Sequence, residues 1–211
     1  MENNSIKLAK KYIKKKMMPS SLKAEFCKHG MEDELEKVYI RTAELIEDNQ
    51  HASKAVKTHL EQILSCIAFY EVLLEKEGSK DKALSIYGDW ALLKIEKVAK
   101  VIPKIMKFPG LYKTMPKLFD LMLDKLFGAA AGFESKTVPE MPGQKVFARD
   151  MIVCPYVETC KKYNCLEIAQ FFCKSDDIIY GNMHPKLLWG RTKTLGTGGD
   201  CCDFRLYIKS E

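Results

Sequence analysis

The apolar periodicity of this chain changes once, and that change limits the folds open to it. From residue 31 to about residue 127 the spacing is helical: Leu35, Val38, Thr42, Leu45 and Ile46 recur at three- and four-residue steps, as do Leu60, Ile63, Ile67, Tyr70 and Leu74. Beyond Gly128 short alternating runs take over, broken by glycine and proline. Helices followed by strands predict an α+β chain, with an N-terminal helical bundle (1–127) and then a β-α-β-β half with an antiparallel sheet (128–211). The two parts are read as one integrated domain.

Breakers divide the helical half. Asp48-Asn49-Gln50 separates two helices, Glu77-Gly78-Ser79 ends the second, and Pro103 disturbs a third running from about Asp81 to Ile102. Lys107-Phe108-Pro109-Gly110 reads as a turn, after which Thr114 and Pro116 mark the start of a helix ending at Gly128. Residues 128–144, with Pro139, Pro142 and Gly143, read as a connection holding one short strand at 133–138. A strand over 145–154, helices over 156–163 and 166–180, and paired strands over 187–195 and 202–209 complete the expectation.

Composition excludes several function classes. Hydrophobic residues make up 46% and charged residues 29%, so the chain has the means to bury a core and is not a disordered segment. No apolar run reaches the roughly 18–20 residues of a membrane span, and lysines interrupt the N-terminus where a signal peptide would be apolar. A cytoplasmic location is the expectation. Of the net charge of +6, residues 1–16 supply +5, from six lysines against Glu2. Such a tail suits an anionic partner, or else the solvated face of a helix docked through Ile6, Ala9 and Ile13. No zinc-finger spacing or aromatic-and-basic stripe points to nucleic acid. The apolar stripes of the helical half serve equally for covering the sheet or for a homodimer surface.

Six of the eight cysteines, Cys154, Cys160, Cys165, Cys173, Cys201 and Cys202, fall in the last 61 residues. Their spacing contains no C-x2-C pair, so free thiols are expected, with a structural zinc as the alternative. Gly196-Thr-Gly-Gly199 lacks the Lys-Ser/Thr ending of a phosphate loop and leads into a strand, which favours a plain hairpin turn without an anion cradle.

Two acidic groups stand beside thiols. On a helix Cys173 lies three and four residues from Asp176 and Asp177, so all three share a face. A pocket wall is one reading; a surface Asp pair beside a buried cysteine is the other. On a strand Cys201, Asp203, Arg205 and Tyr207 face one way and Cys202, Phe204, Leu206 and Ile208 the other, the second set being core. Carboxylates with one fixed guanidinium suit a small zwitterion, though ordinary cross-strand salt bridges would give the same pattern.

Cys154-Pro-Tyr156, Tyr163-Asn-Cys165, Phe172-Cys-Lys-Ser-Asp-Asp177, Gly190-Arg-Thr192 and Thr194-Leu-x-x-Gly-Gly-Asp-Cys-Cys-Asp-Phe204 together resemble the L-2-amino-thiazoline-4-carboxylic acid hydrolase family, over roughly residues 147–207. The resemblance implies a small-molecule substrate, no organic cofactor, and hydrolytic opening of a cyclic amidine to S-carbamoyl-cysteine. It casts Cys173 as nucleophile, Asp176 as the group that orients the amidinium or moves protons, and Arg191 as holder of the substrate carboxylate. Asp203 or Asp200 is then a second acid/base or amidinium ligand, Asp177 a further substrate contact, Cys202 structural, and His184 a loop residue able to activate the thiol. The Gly-Asp-x-Cys-x-Phe ending is also similar to small-molecule-binding domains of the 4-vinyl reductase type, which implies binding without turnover.

Overall fold

The structure, a computed structural model, describes residues 4–17, 19–138 and 146–209. Residues 139–145, which contain Pro139, Pro142 and Gly143, lie outside the described residues. The chain forms two compact units, one of residues 1–91 with 159–168 and the other of residues 92–158 with 169–211.

The first unit is helical: α1 (Asn4–Lys16), α2 (Pro19–Lys28), α3 (Leu35–Asp48), α4 (Lys54–Glu77) and the first turns of α5 (Lys80–Ala99). The basic helix α1 docks through Ala9, Tyr12 and Ile13 and pairs Lys15 with Glu61 at 2.7 Å, so its lysines line a solvated face. Helix α4 is the centre. Ser53 caps its start by accepting from the Val56 N–H, and Gly78 closes its end at φ 60°, a backbone that costs glycine nothing. Between those caps Ile63, Leu64, Ile67, Phe69 and Leu73 are fully buried, and Phe69 packs edge-on against Phe26 and Trp90 at 5.4 and 5.0 Å.

The second unit holds the rest of α5, α6 (Ile102–Met106), α7 (Leu111–Leu126), β1 (Glu134–Thr137), β2 (Val146–Val153), the start of α8 (Pro155–Lys162), α9 (Ala169–Tyr180), β3 (Leu187–Trp189) and β4 (Cys202–Ile208). The strands form one antiparallel sheet in the order β1-β2-β4-β3. Register puts Phe147, Arg149 and Met151 on the same face as Leu206, Phe204 and Cys202, as the alternation along β4 requires. That face is covered: Phe119 of α7 meets Phe147 at 5.6 Å and Tyr180 of α9 at 4.8 Å, and Tyr180 meets Trp189 at 5.0 Å. The chain is thus α+β, a run of helices followed by a small antiparallel sheet.

Two boundaries differ from the sequence reading. Helix α7 begins at Leu111, because Gly110 at φ 80° turns the chain there, and Pro116 lies inside the helix at the cost of one ladder bond. Strand β3 stops at Trp189 instead of continuing to residue 195. Beyond it, the Asp203 carboxylate accepts the Thr192 and Lys193 N–H groups at 2.9 and 2.8 Å, diverting two amides from the ladder.

Candidate functional site

Helix α9 and the segment from Arg191 to Cys202 carry the chemistry. The helical spacing places Cys173, Asp176 and Asp177 on one side of α9, and the alternation of β4 places Cys202 on the sheet face that the helices cover. The thiols of Cys173 and Cys202 are hydrogen-bonded to each other. Between them the chain makes a single 3₁₀ turn, Leu195–Thr197. The Leu195 N–H donates to Cys202 Sγ at 3.2 Å, while the Gly196 N–H and the Thr194 hydroxyl donate to Cys173. The sequence reading gave this stretch no anion cradle. The turn's two consecutive amides are aimed at sulfur, one at each cysteine, Leu195 at Cys202 and Gly196 at Cys173. The close approach needs glycine: a Cβ at Gly196 would stand 2.8 Å from Cys173 Sγ and 3.1 Å from the Ala169 carbonyl carbon.

This setting lowers the Cys173 pKa from the ordinary thiol value to about 6. The largest cause is the hydrogen bond from Cys202; burial opposes it, and the Thr194 hydroxyl, the Arg191 charge and the Gly196 N–H add to it. Cys202 is pushed well above the thiol range, by the same contact first and by burial second. The shared hydrogen bond thus lowers the pKa of Cys173 and raises that of Cys202, favouring the thiolate at Cys173. Cys154, raised to about 11 by burial, stays a thiol.

Arg191 stands behind the sulfur. Its side chain is only 1% exposed; it donates to Asp176 at 3.1 Å, to Asp177 at 2.7 Å and to the carbonyl of Cys173. The Trp189 and Phe204 rings, in edge-on contact with each other at 5.5 Å, both lie beside the guanidinium at 5.6 and 5.5 Å. With its charge taken up by these neighbours, it anchors α9 to the loop and presents no solvent-facing fork. Asp176 is pushed up to about 7 by burial, which outweighs the Arg191 charge; the Cys173 anion adds to the rise.

The remaining acids have separate places. Asp203, on the opposite face of β4, is 8% exposed and accepts three hydrogen bonds, from the Thr192 and Lys193 amides and from the Thr192 hydroxyl at 2.6 Å. Burial raises its pKa, but these donors overcome that and hold it below the usual carboxylate value. Asp200 is exposed and pairs with Lys193 at 2.5 Å. His184 stacks on Tyr112 at 4.4 Å and accepts the Lys186 N–H at 3.1 Å.

A cleft of about 350 Å³ opens over this arrangement, with Cys173, Lys174 and Asp177 of α9 on one wall and Thr192, Lys193 and Thr194 on the other. Arg191 contributes to the lining, whereas Asp176, Asp200, Asp203 and His184 do not. Asp177 reaches the cleft already oriented, accepting from Trp189 Nε1 at 2.8 Å. Among the described residues no group of three His, Cys, Asp or Glu side chains converges as a metal ion would require.

Sequence reasoning thus named Cys173, Asp176, Asp177 and Arg191, which the fold brings together, and Asp203 and Asp200, which flank them. It missed Thr194 and the two backbone amides, and it gave Cys202 only a structural part. The core-facing register of Cys202 was the signal that it would meet a helix.

Comparison with curated proteins and with solved structures finds no match. A family model, that of L-2-amino-thiazoline-4-carboxylic acid hydrolase, matches residues 57–206 and so extends well upstream of the motifs into α4. With that match spanning most of its length and containing the whole thiol site, the chain belongs to the L-2-amino-thiazoline-4-carboxylic acid hydrolase family.

Proposed function

We propose that the protein hydrolyses the C–N bond of a cyclic amidine such as 2-amino-thiazoline-4-carboxylate, using Cys173 as nucleophile. The observation that carries the reading is the Cys173 sulfur at the wall of a cleft that also contains a carboxylate, beside the Cys202 thiol, the Thr194 hydroxyl and the Gly196 amide, which lower its pKa. An amidine carbon is electrophilic only while its nitrogens stay protonated, and Asp177 is the carboxylate placed to hold them so.

The Cys173 anion adds to the amidinium carbon and gives a neutral tetrahedral adduct. The ring C–N bond then breaks, and Asp176, titrating near 7 behind the cleft wall, supplies the departing amine with its proton through an intervening water. Water adds to the resulting thioimidate carbon while Asp176 takes back a proton. Expulsion of the Cys173 thiolate leaves the water oxygen in S-carbamoyl-cysteine. The substrate carboxylate meets Lys174 and Lys193 at the walls. Arg191 and Asp203 act as positioning residues, the first fixing α9 and the second fixing the 192–193 segment. Asp200 governs how far Lys193 leans toward the ligand.

The test is ring opening of 2-amino-thiazoline-4-carboxylate, followed by mass spectrometry of the product, in the wild type and in Cys173→Ser and Asp176→Asn. Loss of product with Cys173→Ser and a fall with Asp176→Asn are expected. Full activity in both variants removes the mechanism. Stoichiometric binding without product in the wild type turns the reading toward a ligand sensor, and near-stoichiometric zinc on the purified protein replaces the thiolate step.

A further inference from the structure

Helices α5 and α6 carry a pattern that the thiol site does not use. Four Lys–apolar doublets, Lys97-Val98, Lys100-Val101, Lys104-Ile105 and Lys107-Phe108, follow one another at steps of three, four and three residues. The backbone keeps turning helically across the junction, with the Lys100 N–H bonded to the Glu96 carbonyl, Ile105 to Val101 and Phe108 to Ile105. At about 100° per residue the apolar members form one stripe and the lysines a parallel stripe beside it.

Both stripes face solvent. Val98, Val101, Ile105 and Phe108 are 49%, 51%, 60% and 73% exposed, rising toward the turn that precedes α7. The four lysines are also exposed, and no ion pair engages them among the described residues. Helix α7 continues the composition, with Leu118, Leu121 and Leu126 exposed beside Lys117 and Lys125. Its two acids, Asp120 and Asp124, are drawn to Arg149 at 2.7 and 3.2 Å and leave the lysines unbalanced.

An apolar stripe this exposed wants cover, and its basic border decides what kind. A second copy docked face to face would set lysines against lysines. A surface that is anionic outside and apolar beneath satisfies both stripes, and Phe108 at the tip of the turn is placed to enter it. We infer that the α5–α6 edge is a peripheral docking surface for a membrane rich in anionic lipid. The protein lies on such a surface without spanning it, since no helix of the described residues is long and apolar enough to cross.

Co-sedimentation of the full chain with vesicles of phosphatidylglycerol, and separately of phosphatidylcholine, tests this. The protein pellets with the first and not the second, and partition falls as salt rises. Lys104→Gln with Lys107→Gln lowers partition on the order of 20-fold, and Ile105→Ser with Phe108→Ser at least about ten-fold. Lys10→Gln with Lys11→Gln, on α1, leaves it unchanged. Circular dichroism checks each fold, and the salt titration of the wild type needs no variant at all. The inference fails if phosphatidylglycerol vesicles pellet no protein, if the α6 variants bind as the wild type does, or if the α1 pair carries the loss. A wild-type dimer in sedimentation velocity that Phe108→Ser converts to monomer assigns the face to a second copy and overturns the lipid reading.

Discussion

Replacing Cys202 by alanine removes the contact that does most to make Cys173 an anion. A hydrogen bond to a charged group is worth about 1.5–3 kcal/mol, and about 1.4 kcal/mol moves a pKa by one. The Cys173 midpoint should therefore climb from about 6 to between about 7 and 8. At pH 6.5 the thiolate fraction drops from about three quarters to between about a quarter and a few per cent. The assay is iodoacetamide alkylation as a function of pH, read on the Cys173 peptide by mass spectrometry because the chain has eight cysteines. Cys202→Ser, whose hydroxyl still donates, should restore much of the lowered midpoint. An alkylation midpoint unchanged in Cys202→Ala, with the fold intact, would show that the thiol pair is not what stabilises the anion.

Three further perturbations probe the supports. Asp203→Asn withdraws acceptor capacity from three donors at a buried position and should cost about 3 kcal/mol in thermal or urea unfolding, whereas Asp200→Asn, on an exposed pair, should leave the melting temperature where it is. Gly196→Ala forces a methyl to within 2.8 Å of Cys173 Sγ, and should destabilise by about 1–3 kcal/mol and slow Cys173 alkylation, since the turn cannot give way without moving its amides. Asp176 has a folded pKa raised from 3.8 to about 7, so its contribution to stability is fully present below the unfolded value and lost as pH rises through 7. Because its side chain is 31% exposed, about 2 kcal/mol of that dependence should survive, seen as a melting temperature several degrees lower at pH 8 than at pH 5; Asp176→Asn should flatten the profile.

The elements were legible because their signals are local. Glu77-Gly78-Ser79 ends α4 through a left-handed glycine, and the alternation along β4 sorts Cys202, Phe204 and Leu206 from Cys201, Asp203 and Arg205. The helical face shared by Cys173, Asp176 and Asp177 follows from spacing alone. What the sequence hid is pairing between segments. Asp203 was read as a residue of the site face, because a strand residue opposite Thr192 looks the same whether it meets a ligand or its neighbour's amides. Arg191 was read as free to bind, since nothing local foretells that two aromatic rings and two carboxylates enclose it. The amides of Leu195 and Gly196 carry no side-chain signature, and their aim depends on a turn that only the folded chain makes.

The enclosure of Arg191 is the feature that makes the rest of the site consistent. A guanidinium buried this deeply keeps its charge at any ordinary pH and needs anions around it. Asp177 supplies one, and the Cys173–Cys202 pair supplies about one more. Asp176, the third acid in reach, finds the positive charge already balanced, which is why burial raises its pKa to about 7 in spite of a direct contact with Arg191. The site at neutrality is then slightly negative and holds one carboxyl near its midpoint. A cation entering the cleft changes that balance: it favours the ionised form of Asp176 and of the thiol pair together. On the proposed reading the substrate amidinium would be such a cation, moving the sulfur toward the nucleophilic state and the carboxyl toward release of its proton. A neutral ligand of the same shape would bring neither effect, so the charge arrangement itself favours a cation over a neutral ligand.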